Sequence, residues 1–254
     1  MNALFLADAH LRGSETPAQV KVLRLLGQCR GPAKEGMVGI SHEREALTLD
    51  LLVIAGDFFD FWFSRGERIY PGFQPVIDRL VSLKEEGVRI ILCEGNHDFH
   101  LDDYFVRRLG FEVYGESLDL NLEGKKILVA HGDTVDQDNR RYLALRKLLR
   151  GALPRFLRRT LPLSLLWVVA RLSSDVSKWR SPAPKGVLAA IMHRYACIRF
   201  QEGYDAVIFG HCHQASLIKE KKGESVKTFA ILGDWLDHDS YLLYGGGRFT
   251  LHQG

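Results

Sequence analysis

Residues 51–63 read LLVIAGDFFDFWF, and the fold turns on how this stretch is read. Five consecutive apolar residues, Leu51–Ala55, run straight into Gly56-Asp57. The run is too short for a globular helix and has no polar face, so it reads as a strand buried on both sides. The same pattern recurs along the chain. Ala3–Leu6 precedes Asp8-Ala9-His10, and Arg89–Cys93 precedes Gly95-Asn96-His97-Asp98. Lys126–Ala130 precedes His131-Gly132-Asp133, and Ala206–Phe209 precedes Gly210-His211-Cys212-His213. Helical patterns at Pro17–Cys29 and Pro75–Glu86 each open at a proline, with Gly87 placed to close the second. Strands alternating with helices indicate a layered α/β fold, whose strand ends converge on one edge where ligands bind. Residues 31–46 show no periodicity and read as a surface loop. Glu123-Gly124 and Lys222-Gly223 read as hairpin turns. The tail runs Thr228–Leu232, Tyr241–Tyr244 and Arg248–Leu251 read as antiparallel strands.

The chain has 254 residues, 46% hydrophobic and 26% charged, which suits one domain over 1–254 with a sizeable core. Its longest apolar stretch, 161–170, contains Pro162 and Ser164 and falls short of the roughly 20 residues a spanning helix needs. The first residues lack the basic segment and cleavage site of a secretory signal. Cys29, Cys93, Cys197 and Cys212 are far apart, as expected of reduced thiols in a cytosol. The net charge of +3 conceals an uneven distribution. Residues 139–201 carry 14 Lys and Arg against one acid, Asp175, a local +13 that leaves −10 elsewhere. This segment interrupts the strand rhythm and reads as a helical insertion of two or three amphipathic helices, broken by Pro154, Pro162, Pro182 and Pro184. So basic a block either forms a solvated helical face or meets an anionic partner: a phosphorylated ligand, a lipid surface or nucleic acid.

Taken singly, an Asp-x-His or a Gly-Asp is ordinary loop chemistry. Five strand-end clusters in one chain, each offering imidazole, carboxylate or amide groups, form a joint metal-binding signal. Mixed nitrogen and oxygen donors without an obligatory thiolate suit Mn²⁺, Fe or Zn²⁺ better than Ca²⁺. Alternation along an extended backbone turns Cys212 away from its two histidine neighbours. Asp60 and Asp133 read as residues that orient nearby ligands. His42, His100, His193, His238 and His252 lie outside every cluster and read as ordinary loop or surface histidines.

In order, these clusters resemble the calcineurin-like metallophosphoesterase family, whose pattern is Asp-x-His, Gly-Asp-x-x-Asp, Gly-Asn-His-Asp/Glu, His and Gly-His-x-His. The resemblance frames residues 8–213 and implies a layered β-sandwich flanked by helices, with 139–201 as an inserted lid. It also implies a pair of divalent metal ions. One would be held by Asp8, His10, Asp57 and His213, the other by Asp57, Asn96, His131 and His211, with Asp57 shared. Two such ions outweigh the charge of Asp8 and Asp57, and the net positive site can activate water and grip a phosphate. His97 would protonate the leaving oxygen or stabilise phosphoryl charge, its ring held by Asp98.

One branch, the UDP-2,3-diacylglucosamine hydrolases of lipid A biosynthesis, is similar in further detail. Asp138, Tyr142 and Arg146 follow His131-Gly-Asp-Thr134, aromatics crowd 56–63, and Ser177-Lys178 resembles a Ser-Lys element of that branch's insertion. The likeness implies substrate contacts at Asn96, His97, Asp138, Tyr142, Arg146 and Lys178, a nucleotide-lipid substrate, and Mn²⁺. It places such an enzyme in the cytoplasm, peripheral on the inner membrane. Apolar residues from Leu148 to Val169 would line an acyl groove, or else pack as the inner face of a helical hairpin. His97 is a departure, since the best-known members of the branch carry Arg there. The alternatives are a nuclease or nucleotide phosphodiesterase of the same family, or a non-catalytic scaffold. The apolar insertion favours lipid over nucleic acid, and seven intact candidate ligands argue against a scaffold.

Overall fold

The computed structural model describes residues 1–13, 15–32, 46–169, 185–223 and 225–254. The first half runs β1 (Ala3–Leu6), α1 (Pro17–Gln28), β2 (Cys29–Arg30), β3 (Leu47–Thr48), β4 (Leu51–Ala55), α2 (Gln74–Glu85), β5 (Arg89–Cys93), α3 (Asp102–Phe105) and β6 (Glu112–Tyr114). The hairpin β7 (Ser117–Leu122) and β8 (Lys125–Ala130) leads to α4 (Arg140–Leu149), α5 (Ala152–Thr160) and a helical segment at 163–169. After α6 (Lys185–Gln201) come β9 (Ala206–Phe209), β10 (Ser216–Lys222), β11 (Ser225–Ile231), β12 (Tyr241–Gly245) and β13 (Arg248–His252).

These strands form two main sheets, ordered β13-β12-β1-β4-β5-β6 and β10-β11-β9-β8-β7. Their faces explain the unbroken apolar runs. Ala3, Phe5, Leu51, Val53 and Ile91 point at the second sheet, where Leu118, Leu120, Val129 and Ile208 meet them. The alternate residues Leu4, Leu6, Leu52, Ile54 and Leu92 point the other way, against Val22 and Leu26 of α1 and Ile77 and Leu80 of α2. On the far side Val207, Phe209, Phe229 and Ile231 pack on Met192, Ala196 and Phe200 of α6. The result is a helix–sheet–sheet–helix sandwich, the layered α/β architecture expected from the runs. Each fully buried Leu or Phe contributes about 1.5–3 kcal/mol relative to exposure.

The expected strands and helices occur within a residue or two of their predicted bounds, except that the strand expected at Thr228–Leu232 begins three residues earlier, at Ser225. The tail is only partly antiparallel. β10 and β11 form a hairpin, but β11 lies parallel to β9, while β12 runs antiparallel to β1. The tail strands thus extend both sheets, satisfying the backbone groups along the edges of β9 and β1. The proposed loop at 31–46 lies mostly outside the described residues, as does Lys178. No helix among the described residues is long and apolar enough to cross a membrane.

The basic insertion is not simply a solvated face. Arg150 donates to Glu94 Oε2 and to the Gly95 carbonyl, both at 2.7 Å. Arg158, buried, donates to the His100 carbonyl and to Asp103 Oδ2. Arg65 of the body donates in return to the carbonyls of Arg158 and Leu161. His100 is therefore no ordinary loop histidine. Burial and the cations of Arg158, Arg155 and Arg150 push its pKa down to about 4. The unfolded chain then takes up this proton first, so the stabilisation is complete above about pH 6.5 and disappears between 6.5 and 4. Urea titrations across that window should show a smaller loss of stability in His100→Asn than in the wild-type chain. Asn suits the backbone, since His100 has φ +60°.

Candidate metal centre

The loops after β1, β4 and β9 hold five of the candidate ligands in an uncommon backbone conformation. Asp8, His10, Asp57, His211 and His213 all have φ between +44° and +63°. Such residues cost on the order of 1 kcal/mol or more each, and they persist where a site requires them. The surrounding frame is equally tight. Gly56, φ +88°, lies against the His131 ring, and a Cβ there would come within 2.6 Å of Nδ1. At Gly95 a Cβ would overlap both Oδ1 and the backbone nitrogen of Asp57. Gly95→Ala should therefore displace Asp57, lower bound metal and destabilise the fold by about 2 kcal/mol or more, read by metal analysis and thermal unfolding.

The side chains gather as two groups around Asp57. In the first, Asp8, His10 and His213 converge, with His10 Nε2 3.2 Å from His213 Nε2 and His213 Nε2 3.4 Å from Asp8 Oδ1. In the second, Asp57, His131 and His211 converge, and His131 Nε2 lies 3.3 Å from Asp57 Oδ2 and 3.0 Å from Asn96 Oδ1. Asp57 Oδ2 is also 3.8 Å from His10 Nε2, so one carboxylate reaches both groups.

The hydrogens on these rings decide what the arrangement can hold. His131 Nδ1 faces the Ala55 carbonyl at 3.1 Å. A carbonyl only accepts, so Nδ1 carries a hydrogen and Nε2 is the nitrogen turned toward the two oxygens, free to bind a cation once its own proton is displaced. His213 Nδ1 faces Asp234 Oδ2 at 3.2 Å, which turns Nε2 inward in the same way. Asp8 Oδ1 is buried and accepts no hydrogen bond from the described residues. Lone pairs facing lone pairs in a buried pocket fit divalent cations with nitrogen and oxygen ligands. Burial opposes charge on His131, yet the carboxylates of Asp57, Asp8 and Asp133 push its pKa up to about 10, a negative field that a divalent cation would neutralise in place of the second ring proton. His211 is lowered to about 3, by burial first and then by His131, and so stays in the neutral form that binds metals.

Other expected residues are placed differently. Asp98 does not hold the His97 ring. Its two oxygens accept from the backbone nitrogens of Asp57, Phe58, Phe59 and Gly95 at 2.7–3.0 Å. Consecutive side chains in this turn diverge, and Asp98 fastens the β4 loop to the β5 loop. His97 instead sets Nδ1 3.2 Å from the Asp60 carbonyl, while its backbone N–H donates to Asp57 Oδ1 at 2.8 Å. Its ring meets His10 edge-on at 4.8 Å. Asp60 also lies against His10 Nδ1 and Arg12 Nε. Tyr142 and Arg146 reach the site's rim together, both donating to Asp133 Oδ2 at 2.7 Å. Burial alone would raise Asp133, but His131, the Tyr142 hydroxyl and Arg146 hold it below the usual carboxylate range. Asp138 is exposed in the turn before α4 and joins neither ligand group. Cys212 is buried in the core cluster under α6.

Sequence reasoning did not single out Asp234. Its only signal was position, in Gly233-Asp234-Trp235 directly after an apolar run, as with the other strand-end clusters. His238, outside every sequence cluster, shares this carboxylate through Nδ1 at 3.1 Å.

A β-sandwich with helices outside and acids, amides and imidazoles at its strand ends defines the class. The chain belongs to the calcineurin-like phosphoesterase family, whose model matches residues 1–215. Three similar proteins carry the same name, UDP-2,3-diacylglucosamine hydrolase. The one from Porphyromonas gingivalis is 29% identical over 266 residues, covering 97% of this chain and 95% of its own. That of Vibrio cholerae El Tor is 26% identical, covering 96% and 95%. That of Edwardsiella ictaluri is 28% identical, covering 95% and 88%.

Proposed function

We propose that this chain is a two-metal hydrolase that cleaves the pyrophosphate of UDP-2,3-diacylglucosamine to UMP and 2,3-diacylglucosamine 1-phosphate. The observation that carries the reading is the pair of ligand groups sharing Asp57 beneath a helical insertion that combines cations with exposed apolar side chains. Asp8, His10, Asp57 and His213 would hold one cation; Asp57, Asn96, His131 and His211 would hold the other. We assign Mn²⁺, a donor preference that Fe and Zn²⁺ share. Such a pair supplies Lewis acidity at the phosphoryl oxygens and lowers the pKa of the attacking water.

The chain's own groups do the rest. His97, its Nδ1–H directed at the Asp60 carbonyl, would give a proton from Nε2 to the leaving oxygen when the ring carries hydrogens on both nitrogens. Asn96 and His97 lie on one loop, so a single turn places a metal ligand beside the acid. A cleft of about 820 Å³ opens by the ends of β8 and β9, lined by Arg146, Lys147, Arg150, Leu143 and Tyr195. Arg146 and Arg150 there are paired with Asp133 and Glu94, so Lys147 is the cation that suits a phosphate. Leu153 and Phe156 of α5 are 64% and 62% exposed and suit the acyl chains, at about 0.8 kcal/mol per buried CH₂. The same face, with its arginines, suits a peripheral position on an anionic membrane surface in the cytoplasm.

Mass spectrometry of the purified chain with Mn²⁺ and UDP-2,3-diacylglucosamine should find UMP. Absence of UMP, together with turnover of single-stranded nucleic acid that collapses in salt, would replace this reading with a nuclease.

A further inference from the structure

We propose a third metal site, for a borderline-soft cation such as Zn²⁺, at His193, Cys197 and Glu220. His193 and Cys197 are four residues apart on α6, so their side chains share one face of the helix. Glu220 belongs to β10, where alternation sends Ile218, Glu220 and Lys222 to the same side, and Lys222 Nζ lies over the Phe200 ring of α6. One ligand atom from each of His193, Cys197 and Glu220 comes within 4.8 Å of the others. The three residues are half-buried, near enough to solvent for an ion to enter.

The second coordination features are in place. His193 Nε2 faces Glu220 Oε1 at 2.7 Å, and the Phe229 ring meets the imidazole edge-on at 5.1 Å, fixing its plane. Lys222 Nζ is 3.8 Å from Glu220 Oε2, and a cation would enter on the other side by displacing the hydrogen shared between His193 Nε2 and Glu220 Oε1. Bond lengths of about 2.0–2.3 Å to nitrogen, oxygen and sulfur bring three such atoms to one tetrahedral centre after small rotamer adjustments, with water fourth. The thiolate excludes Mg²⁺ and Ca²⁺ and separates this site from the sulfur-free centre at Asp57. A cation here cross-links α6 to the edge strand of the second sheet. It takes no part in hydrolysis.

The test titrates the full reduced chain with Co²⁺ and measures its zinc content. The wild-type chain should show a near-ultraviolet thiolate-to-cobalt band, which Cys197→Ser abolishes. That variant should hold one fewer equivalent of zinc, melt without the zinc-dependent rise in Tm, and keep its hydrolytic rate. Should Cys197→Ser fold poorly, Glu220→Gln should weaken zinc protection of Cys197 against a thiol reagent at least tenfold. A wild-type chain without the band, or a Cys197→Ser variant with unchanged zinc content, overturns the site and leaves an ordinary His–Glu pair.

Discussion

Asp57→Ala should abolish turnover, with kcat reduced by at least about 10³-fold, or about 4 kcal/mol of transition-state stabilisation. Three contacts are lost at once. Oδ2 stands 3.3 Å from His131 Nε2 and 3.8 Å from His10 Nε2, so both ligand groups lose their shared carboxylate. Oδ1 accepts the His97 N–H, so the loop carrying Asn96 and His97 loses its anchor. The fold should survive, because Asp98 still ties the β4 and β5 loops through backbone nitrogens that the substitution leaves intact. The cost to folding is the φ of +50°, which Ala tolerates less well than Asp. Asp57→Asn separates the roles, since its amide oxygen can still accept from His97 while the charge is gone. If both variants bind less metal and only Asp57→Ala misplaces His97, the two functions of this side chain are distinct. Full activity in Asp57→Ala with wild-type metal content would remove Asp57 from the centre.

Much of this arrangement was legible because two-sided burial leaves a plain trace. Leu51–Ala55 and Ala206–Phe209 have nowhere to expose a polar residue, and the acids and histidines begin where burial ends. Strands with an open face were harder to see. Ser216–Lys222 reads SLIKEKK, and only its hairpin partner makes it a strand. The roles of neighbours in a turn were not legible either. Asp98 follows His97 in sequence, yet the backbone turns between them and the carboxylate faces four amides. Long-range pairs left no trace, which is why Asp234 and the arginine ties of the insertion emerged only in three dimensions. Arg150 and Glu94 are 56 residues apart, and a charge run by itself gives no indication of which cations are committed to the body.

Those ties bear on the second large effect, the selective loss of lipid turnover in the triple variant Leu148→Ser, Leu153→Ser, Phe156→Ser. A hairpin packed by its inner face would bury these residues; instead they are 62–64% exposed. Polar contacts join the insertion to the body: Arg146 to Asp133, Arg150 to Glu94, Arg158 to Asp103. Removing the apolar side chains therefore leaves those attachments in place, and Tm should move by no more than a few degrees. Each large apolar side chain buried against an acyl chain contributes about 1.5–3 kcal/mol, so the triple variant should lose at least about 100-fold in kcat/KM on the diacylated nucleotide sugar. Hydrolysis of a small chromogenic phosphodiester should stay within about twofold, because the ligand groups lie under the sandwich edge and not on α5. Equal losses on both substrates would mean that the exposed face supports the metal centre's shape. A variant with both rates unchanged would mean that the acyl chains lie elsewhere. Only the split between substrates separates a surface that grips lipid from one that merely carries the arginines into position.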